Sequence, residues 1–476
     1  MWKWMNETLV DFRICFTRRA AFQWFVVIVI GLMIGKDDSG VTSIIRELAL
    51  NSKCYVDMIH FFRASSWAIE PIREKWISLV QKNAPLIQVR GYNILVGDGI
   101  KQPKEAKKMP GVKKHHQESE NVSKAKYIFG HLFGVIGVLA GDTGKMFCIP
   151  LGGTIQDGVK TIREWAKSKL AELSHVEQVV HLALECVKQL GKSIVVLDRL
   201  FLTINALKGC ESHLDEDGNP MLYMVTKAKK TAVAYKDPPP YSGKGRPRVK
   251  GEKVKLWSLF EQSDEFETLE VQMYGRRETV KSMTIDLLWG KKLYRKLRFV
   301  LVIMPDGGKS ILVSSLLSLT ATEIIELYAW RFKIGVSFKE LKHSISGFTY
   351  RFWSKHMPKL NRFGPSDADL LKDITDSHSH ELIIDNLKAI EGYVMFACIA
   401  LGMLQMIALK FGSTIKLSNF LWLRTKTNDV PTESTITRYL SKNIFRTIEI
   451  YKDFGIYQII RNKQKHAPLE DYSEVS

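Results

Sequence analysis

Three hydrophobic patterns succeed one another along the chain. Residues 1–88 place apolar side chains at helical spacing, and "GVTSIIRELALNSKCYVDMIHFF" reads as two short amphipathic helices around "NSK", with Thr42 or Ser43 available as a cap. That pair suits a helix-turn-helix reader or a bundle packing its own core. From residue 91 the period shortens: "YNILVGDG", "YIFGHLFGVIGVLAG" and "MFCIPLGG" are apolar runs between glycines, which predicts adjacent strands. "GDTGK" at 141–145 predicts a hairpin turn; its first glycine and its spacing are wrong for a phosphate-binding loop. A helical stretch then ends at Gly191, and "SIVVLD" comes next as a buried strand closing on a carboxylate.

The next segment, "MLYMVTKAKKTAVAY", the Pro/Gly/Lys-rich "KDPPPYSGKGRPRVKGEKVK" and "MTIDLLW", predicts a mostly β insertion. "LRFVLVIM" and "KSILVSS" return to core-strand character before a helix over 328–342. Beyond residue 350, polar "GPSDADLLKDITDSHSHE" gives way to apolar helical "YVMFACIALGMLQMIALKFG" and a basic C-terminal part. The expected fold class is α/β, a mixed sheet flanked by helices and interrupted by a mostly β insertion, with helical N- and C-terminal regions. The expected divisions are 1–88 (helical, DNA-binding), 89–214 (core, first part), 215–296 (β-rich insertion), 297–355 (core, second part) and 356–476 (helical).

Composition narrows this picture. With 476 residues, 45% hydrophobic and 10% aromatic, the chain is globular and long enough for several cores. Runs 24–35 and 393–409 fall short of the roughly 20 residues of a spanning helix, contain or adjoin Gln405 and Gln23, and read as buried helices with no membrane partner. "KDDSG" after the first run does not resemble a cleavage site. Six scattered cysteines, with no CxxC, predict free thiols in a reducing cytoplasm. "HSHE" at 378–381 lacks partners at zinc spacing and reads as a solvated loop.

Charge points to a partner. A formal net charge of +19 favours a polyanion. Residues 101–126 hold eight Lys against three Glu, Lys113 and Lys114 among them, and residues 227–255 hold ten Lys/Arg against two acids. Within the second stretch "GRPR" resembles an AT-hook core, through which Arg246 and Arg248 would enter a narrow minor groove.

Candidate chemistry rests on three places. Asp98 and Asp198 each end an apolar strand, where a sheet presents functional groups, and two such carboxylates can share divalent ions for phosphodiester chemistry. In "YAWRFKIGVSFKELK", at about 100° per residue, Tyr328, Arg331, Gly335 and Lys342 fall within an arc of roughly 60°. An interior Gly costs a helix about 0.5–1 kcal/mol against Ala, so Gly335 asks for an explanation.

"Y-x2-R-x3-(335)-x6-K", ending in "FKELK", resembles the YREK signature of bacterial insertion-sequence transposases with an RNase H-like DDE catalytic domain. "VGDGIKQPKEAKKMPGVKKHHQESE" resembles that group's first-aspartate block and "IVVLDRLF" its second. "VTKAKKTAVAY" with "GKGRPRVKGEKVKL" resembles its β insertion, and "YRFWSK" is similar to the stretch just after its signature helix. The resemblance implies an RNase H-like core and DNA cleavage with strand transfer at element ends. Asp98 and Asp198 would hold two Mg²⁺ (or Mn²⁺) ions. Tyr328, Arg331 and Lys342, with Lys339 beside them, would hold DNA phosphates. It further implies duplex DNA as partner (terminal inverted repeats and target), a homodimer in the DNA complex, and a bacterial, nucleoid-associated location.

Position 335 corresponds to the third acid, and here it is Gly335. Glu340, Glu326 and Glu323 lie about 140°, 180° and 120° around a straight helix and do not replace it. Impaired activity is therefore expected. Two alternatives stand beside the transposase: a non-catalytic DNA-binding remnant or inhibitor of transposition, and an RNase H-like nuclease.

Overall fold

The structure is a computed structural model that describes residues 1–35, 37–117, 126–241, 243, 246–361, 370–413, 415 and 430–464. Parts of the basic segments (118–125, with 244 and Gly245 of "GRPR"), the start of the polar stretch after 350 and much of the basic C-terminal part lie outside the described residues.

Among the described residues thirteen strands form one mixed sheet. They are β1 (Gln88–Val89), β2 (Tyr92–Pro103), β3 (Lys113–His116), β4 (Tyr127–Gly141), β5 (Met146–Ile155), β6 (Ser193–Val196) and β7 (Leu222–Lys227). The remainder are β8 (Val233–Tyr235), β9 (Lys253–Lys255), β10 (Glu267–Met273), β11 (Arg276–Trp289), β12 (Arg295–Ile303) and β13 (Lys309–Ser314). The central unit runs β5-β4-β2-β6-β7, antiparallel at the first two pairings and parallel at the last two. β6, "SIVV", is buried at every position, as a short continuous apolar run in a parallel setting must be. β4 and β5 are joined at "GDTGK", where the Asp142 carboxylate accepts the N–H groups of Gly144 and Lys145, so the expected hairpin turn is present.

From β7 the sheet continues antiparallel through β13, β12 and β11, with β10 and β8 both pairing β11. Strand pairing runs across the expected boundaries. β7, assigned to the insertion from its sequence, lies parallel to β6, while "LRFVLVIM" and "KSILVSS", assigned to the core, run antiparallel off β7 as part of the extension. Each carries an apolar run, and an apolar run does not name its partner strand.

Helices flank the sheet at both ends of the chain, giving the expected mixed α/β class. His175–Leu190, opened by a Ser174/Glu177 capping box, packs on β4 and β2, and Asn93 of β2 donates to its last carbonyl, Leu190 O. In the N-terminal region Val41–Glu47 begins after Gly40 at φ 61, with no side-chain cap, so neither Thr42 nor Ser43 takes that part. Val41–Glu47 packs on Arg19–Ile34, and Cys54–Arg63 buries Met58, Phe61 and Phe62 against Ser377–Phe411, so their apolar faces are filled by the chain itself.

Ser377–Phe411 spans 35 residues, beginning well before the expected 393–412, and is long and apolar enough to cross a membrane by length and composition only. Its apolar window is 83% buried, against β5, Arg19–Ile34, Cys54–Arg63, Ile69–Asn83 and Glu433–Ile450. Small residues make the approach possible. A Cβ on Gly402 would come within 2.3 Å of the Trp76 ring, and one on Gly392 within 2.4 Å of Trp67. "HSHE" opens this helix instead of a solvated loop: His380 stacks on Trp165 at 3.8 Å and faces Ile374 O at 2.7 Å.

Candidate functional site

Register aligns the site. Val96 of β2, Val196 of β6 and Val225 of β7 sit side by side across the parallel strands. Counting two residues on from each reaches Asp98, Asp198 and Lys227. Lys227 ends β7 and Asp198 lies just past β6. Asp98 sits midway along β2, still paired to Val135 of β4, so it does not end its strand as expected. A period of two returns side chains to one face, so this step sets two carboxylates and an ammonium in a row. Asp198 leaves its strand to open the short 3₁₀ turn Arg199–Phe201, and its carboxylate accepts the Arg199 N–H at 2.6 Å. Thr226 Oγ1 donates to the Asp198 carbonyl at 2.8 Å, which ties the end of β6 to β7. Asp98 Oδ1 accepts the Gly99 N–H at 2.8 Å.

The opposite wall comes from the segment over 328–342. It is two helices, Ala321–Trp330 and Phe332–His343, not one. Arg331 is the junction: its N–H goes to Tyr328 O at 3.2 Å and its carbonyl takes the Ile334 N–H at 3.3 Å, both with the tighter i to i+3 spacing. The single-helix stripe of Tyr328, Arg331, Gly335 and Lys342 is thus interrupted. The junction aims Arg331 at Asp98. Its Nη1 donates to Asp98 Oδ2 at 3.0 Å, and its guanidinium lies 5.7 Å from the Tyr328 ring centre.

These groups share one electrostatic field. Burial raises the Asp98 pKa and the Asp198 charge adds to it, against the Gly99 N–H and Arg331. Burial works against charged Arg331, but Asp98, Tyr328 and Asp198 outweigh it and the guanidinium pKa is raised. Burial raises the Tyr328 hydroxyl. Lys227 is lowered, first by burial and then by Arg199, with Asp198 opposing and Arg331 and Lys230 adding. The structure therefore brings Asp98, Asp198, Tyr328 and Arg331 together. It adds Lys227 and Arg199, which the sequence pattern alone does not single out as site residues. A signal for one of them was present, since Lys227 closes "MLYMVT" just as the aspartates close their own apolar runs.

Gly335 lies exposed on Phe332–His343, and a Cβ there would meet nothing within 4 Å. Neighbouring glutamates are engaged elsewhere. Glu340 accepts the Ser344 hydroxyl, Glu326 accepts the Gln272 N–H at 2.8 Å, and Glu323 caps its helix and pairs with Arg90 at 2.8 Å. Lys339 is exposed and Lys342 half-buried on the same helix. Lys113 and Lys114 stand apart on strand β3, the first bridged to Asp157 at 3.2 Å, the second 4.5 Å from the Tyr127 ring centre. Arg246 and Arg248 are exposed between β8 and β9.

Among the described residues no group of three or more His, Cys, Asp or Glu is placed to hold a metal ion. The donors here are two carboxylates, one already paired to a guanidinium. Two Mg²⁺ ions need octahedral oxygen shells, and this set does not fit the implied pair.

No protein-family model matches the chain, and no curated protein matches it. Among solved structures the chain is similar to a piggyBac transposase synaptic complex with hairpin DNA, determined by cryo-EM. The identity is 14% and the TM-score 0.38, over 99% of this chain and 79% of that one.

Proposed function

We propose that the chain is a transposase-like DNA-processing protein, of the insertion-sequence type its motifs resemble, that binds duplex DNA and cleaves it poorly. One observation carries the reading: Asp98 of β2 and a Tyr–Arg pair at a helix junction more than 200 residues later meet in a single cluster with Asp198. That is the combination the motif spacing implies. The strand order β5-β4-β2-β6-β7, an antiparallel meander with two strands parallel to its first member, supports an RNase H-like core. The net charge of +19 supports DNA as the partner. Gly335 supports the impairment, since it leaves two carboxylates where three are expected and nothing nearby stands in. The same residue supports the second reading, a protein that occupies DNA without cutting it.

The test pairs binding with cleavage, using the full chain and linear duplex DNA that includes the flanks of its gene. Binding is expected in both the protein as given and Gly335→Glu. With roughly 6–10 phosphate contacts, affinity should fall by about 10³–10⁵ between roughly 50 and 200 mM salt. Cutting in Mg²⁺ or Mn²⁺ is expected to be weak in the first protein and much stronger in the second. Absence of DNA binding at low salt overturns the proposal. Equal cutting by both proteins, lost on Glu340→Gln, overturns the assignment of position 335.

A further inference from the structure

We infer that the Asp98–Asp198 cluster of this chain holds a DNA backbone phosphate directly, through Lys227, Arg199 and Arg331, with no divalent ion between. The inference rests on the proposed function and names the partner group of its site.

The register supplies the geometry. Asp98, Asp198 and Lys227 each stand two residues beyond a level row of valines, so the third position of the row carries a cation. Thr226, fully buried and bonded to the Asp198 carbonyl, fixes the end of β7 against the end of β6. Lys227 is thereby held near Asp198, by backbone pairing to Leu312 of β13 on one side and by the Thr226 side-chain bond next to it on the other. Arg199 comes directly after Asp198 and is exposed. Arg331 reaches the same place from the helix junction.

Counting charge decides what fits. Three cations, Lys227, Arg199 and Arg331, stand among two carboxylates, with Lys230 also acting on Lys227, a formal excess of at least one positive charge. A pair of divalent cations would add to that excess with only two carboxylates to bind them. A phosphodiester, with one negative charge, reduces it. Lys227 offers three donors as a compact charge, and Arg199 a planar fork suited to two phosphate oxygens. Arg331, already paired to Asp98, keeps donors to spare. The aspartates then act as spacers, which hold the cations apart and ordered until DNA arrives.

The experiment is fluorescence anisotropy of the full chain with one labelled duplex, at constant ionic strength, in EDTA and in Mg²⁺. Affinity is expected to be the same in both conditions. Lys227→Met should weaken it about tenfold, and Lys227→Arg by no more than about threefold, the scale of one charge-assisted contact. Asp198→Asn, which removes a competing negative charge, should tighten binding in EDTA. Lys160→Met, at an exposed lysine outside both basic stretches and 3.9 Å from Glu164, serves as the control and should change little. Thermal melting checks that each variant is folded, and Asp198→Asn keeps the test decisive should Lys227→Met not fold. Binding that improves with Mg²⁺ and loses that gain on Asp198→Asn overturns the inference. So does Lys227→Met binding like the parent protein, although the proposed function survives that result. Failure of the parent protein to bind any duplex overturns both.

Discussion

Arg331 Nη1 lies 3.0 Å from Asp98 Oδ2 across 233 residues of sequence, and this bond fastens the helix junction to the central strand. Both side chains are about a quarter to a third exposed, so the pair lies between a surface bridge and a buried one. Arg331→Met should cost about 1–2 kcal/mol in a urea titration, because it leaves Asp98 half-buried without its cation. Adding Asp98→Asn should restore part of that loss. Simple additivity of the two changes would show that the pair is not coupled.

Gly335 faces open space within a helix. Gly335→Ala is therefore expected to stabilise the protein by about 0.5–1 kcal/mol, through backbone entropy alone. The DNA affinity should not move, because a methyl group there touches nothing. A destabilised Ala variant would show that the glycine serves the backbone at this point.

Gly402 is the reverse case. Ala would gain helix propensity there, yet its Cβ would enter the Trp76 ring, held in turn by its N–H to Pro150 O at 2.9 Å. Overpacking should prevail, and Gly402→Ala should destabilise the fold by about 1–3 kcal/mol. A melting temperature equal to the parent's would mean that the long helix can slide, and would sink this account of its packing.

His131 provides the pH dependence. It is fully buried, with Nε2 facing Pro110 O at 2.7 Å and Nδ1 facing the Tyr350 hydroxyl at 2.5 Å. A carbonyl only accepts, so Nε2 carries the proton and Nδ1 accepts from Tyr350. Burial pushes the imidazole pKa down to about 3 from its ordinary 6.5. Between those values the unfolded chain binds the extra proton, so stability falls as pH is lowered from about 6.5 toward 3, by at most about 1.4 kcal/mol per pH unit. In His131→Gln this contribution disappears. Between pH 6.5 and 5 the parent protein should lose about 2 kcal/mol more than the variant in matched urea titrations. Equal losses would place the acid sensitivity elsewhere.

Much of the site was legible because strand ends and helix spacing are local signals. Asp98 and Asp198 could be named from apolar runs closing on a carboxylate, and Tyr328 and Arg331 from their spacing. Lys227 was missed through one pairing decision. Assigning "MLYMVTK" to the insertion removed it from the row in which its charge has meaning, and only the β6–β7 register restores it. The break at Arg331 was illegible for a different reason. No proline or glycine marks it: Arg331 keeps helical φ and ψ of -51° and -34°, and only its i to i+3 bonds part the two helices. The length of Ser377–Phe411 was underestimated because its first turns are polar and read as loop.

The enclosure of that helix has a consequence for synthesis. Arg19–Ile34 buries every residue from 24 to 34, and much of its cover is Ser377–Phe411. A ribosome adding roughly 5–20 residues per second needs roughly 20–70 s to travel from one to the other. Through that interval an uninterrupted apolar helix waits in the nascent chain without its mate. A slower ribosome lengthens that exposure, and chaperones that shield the early helix are expected to raise the yield of folded chain.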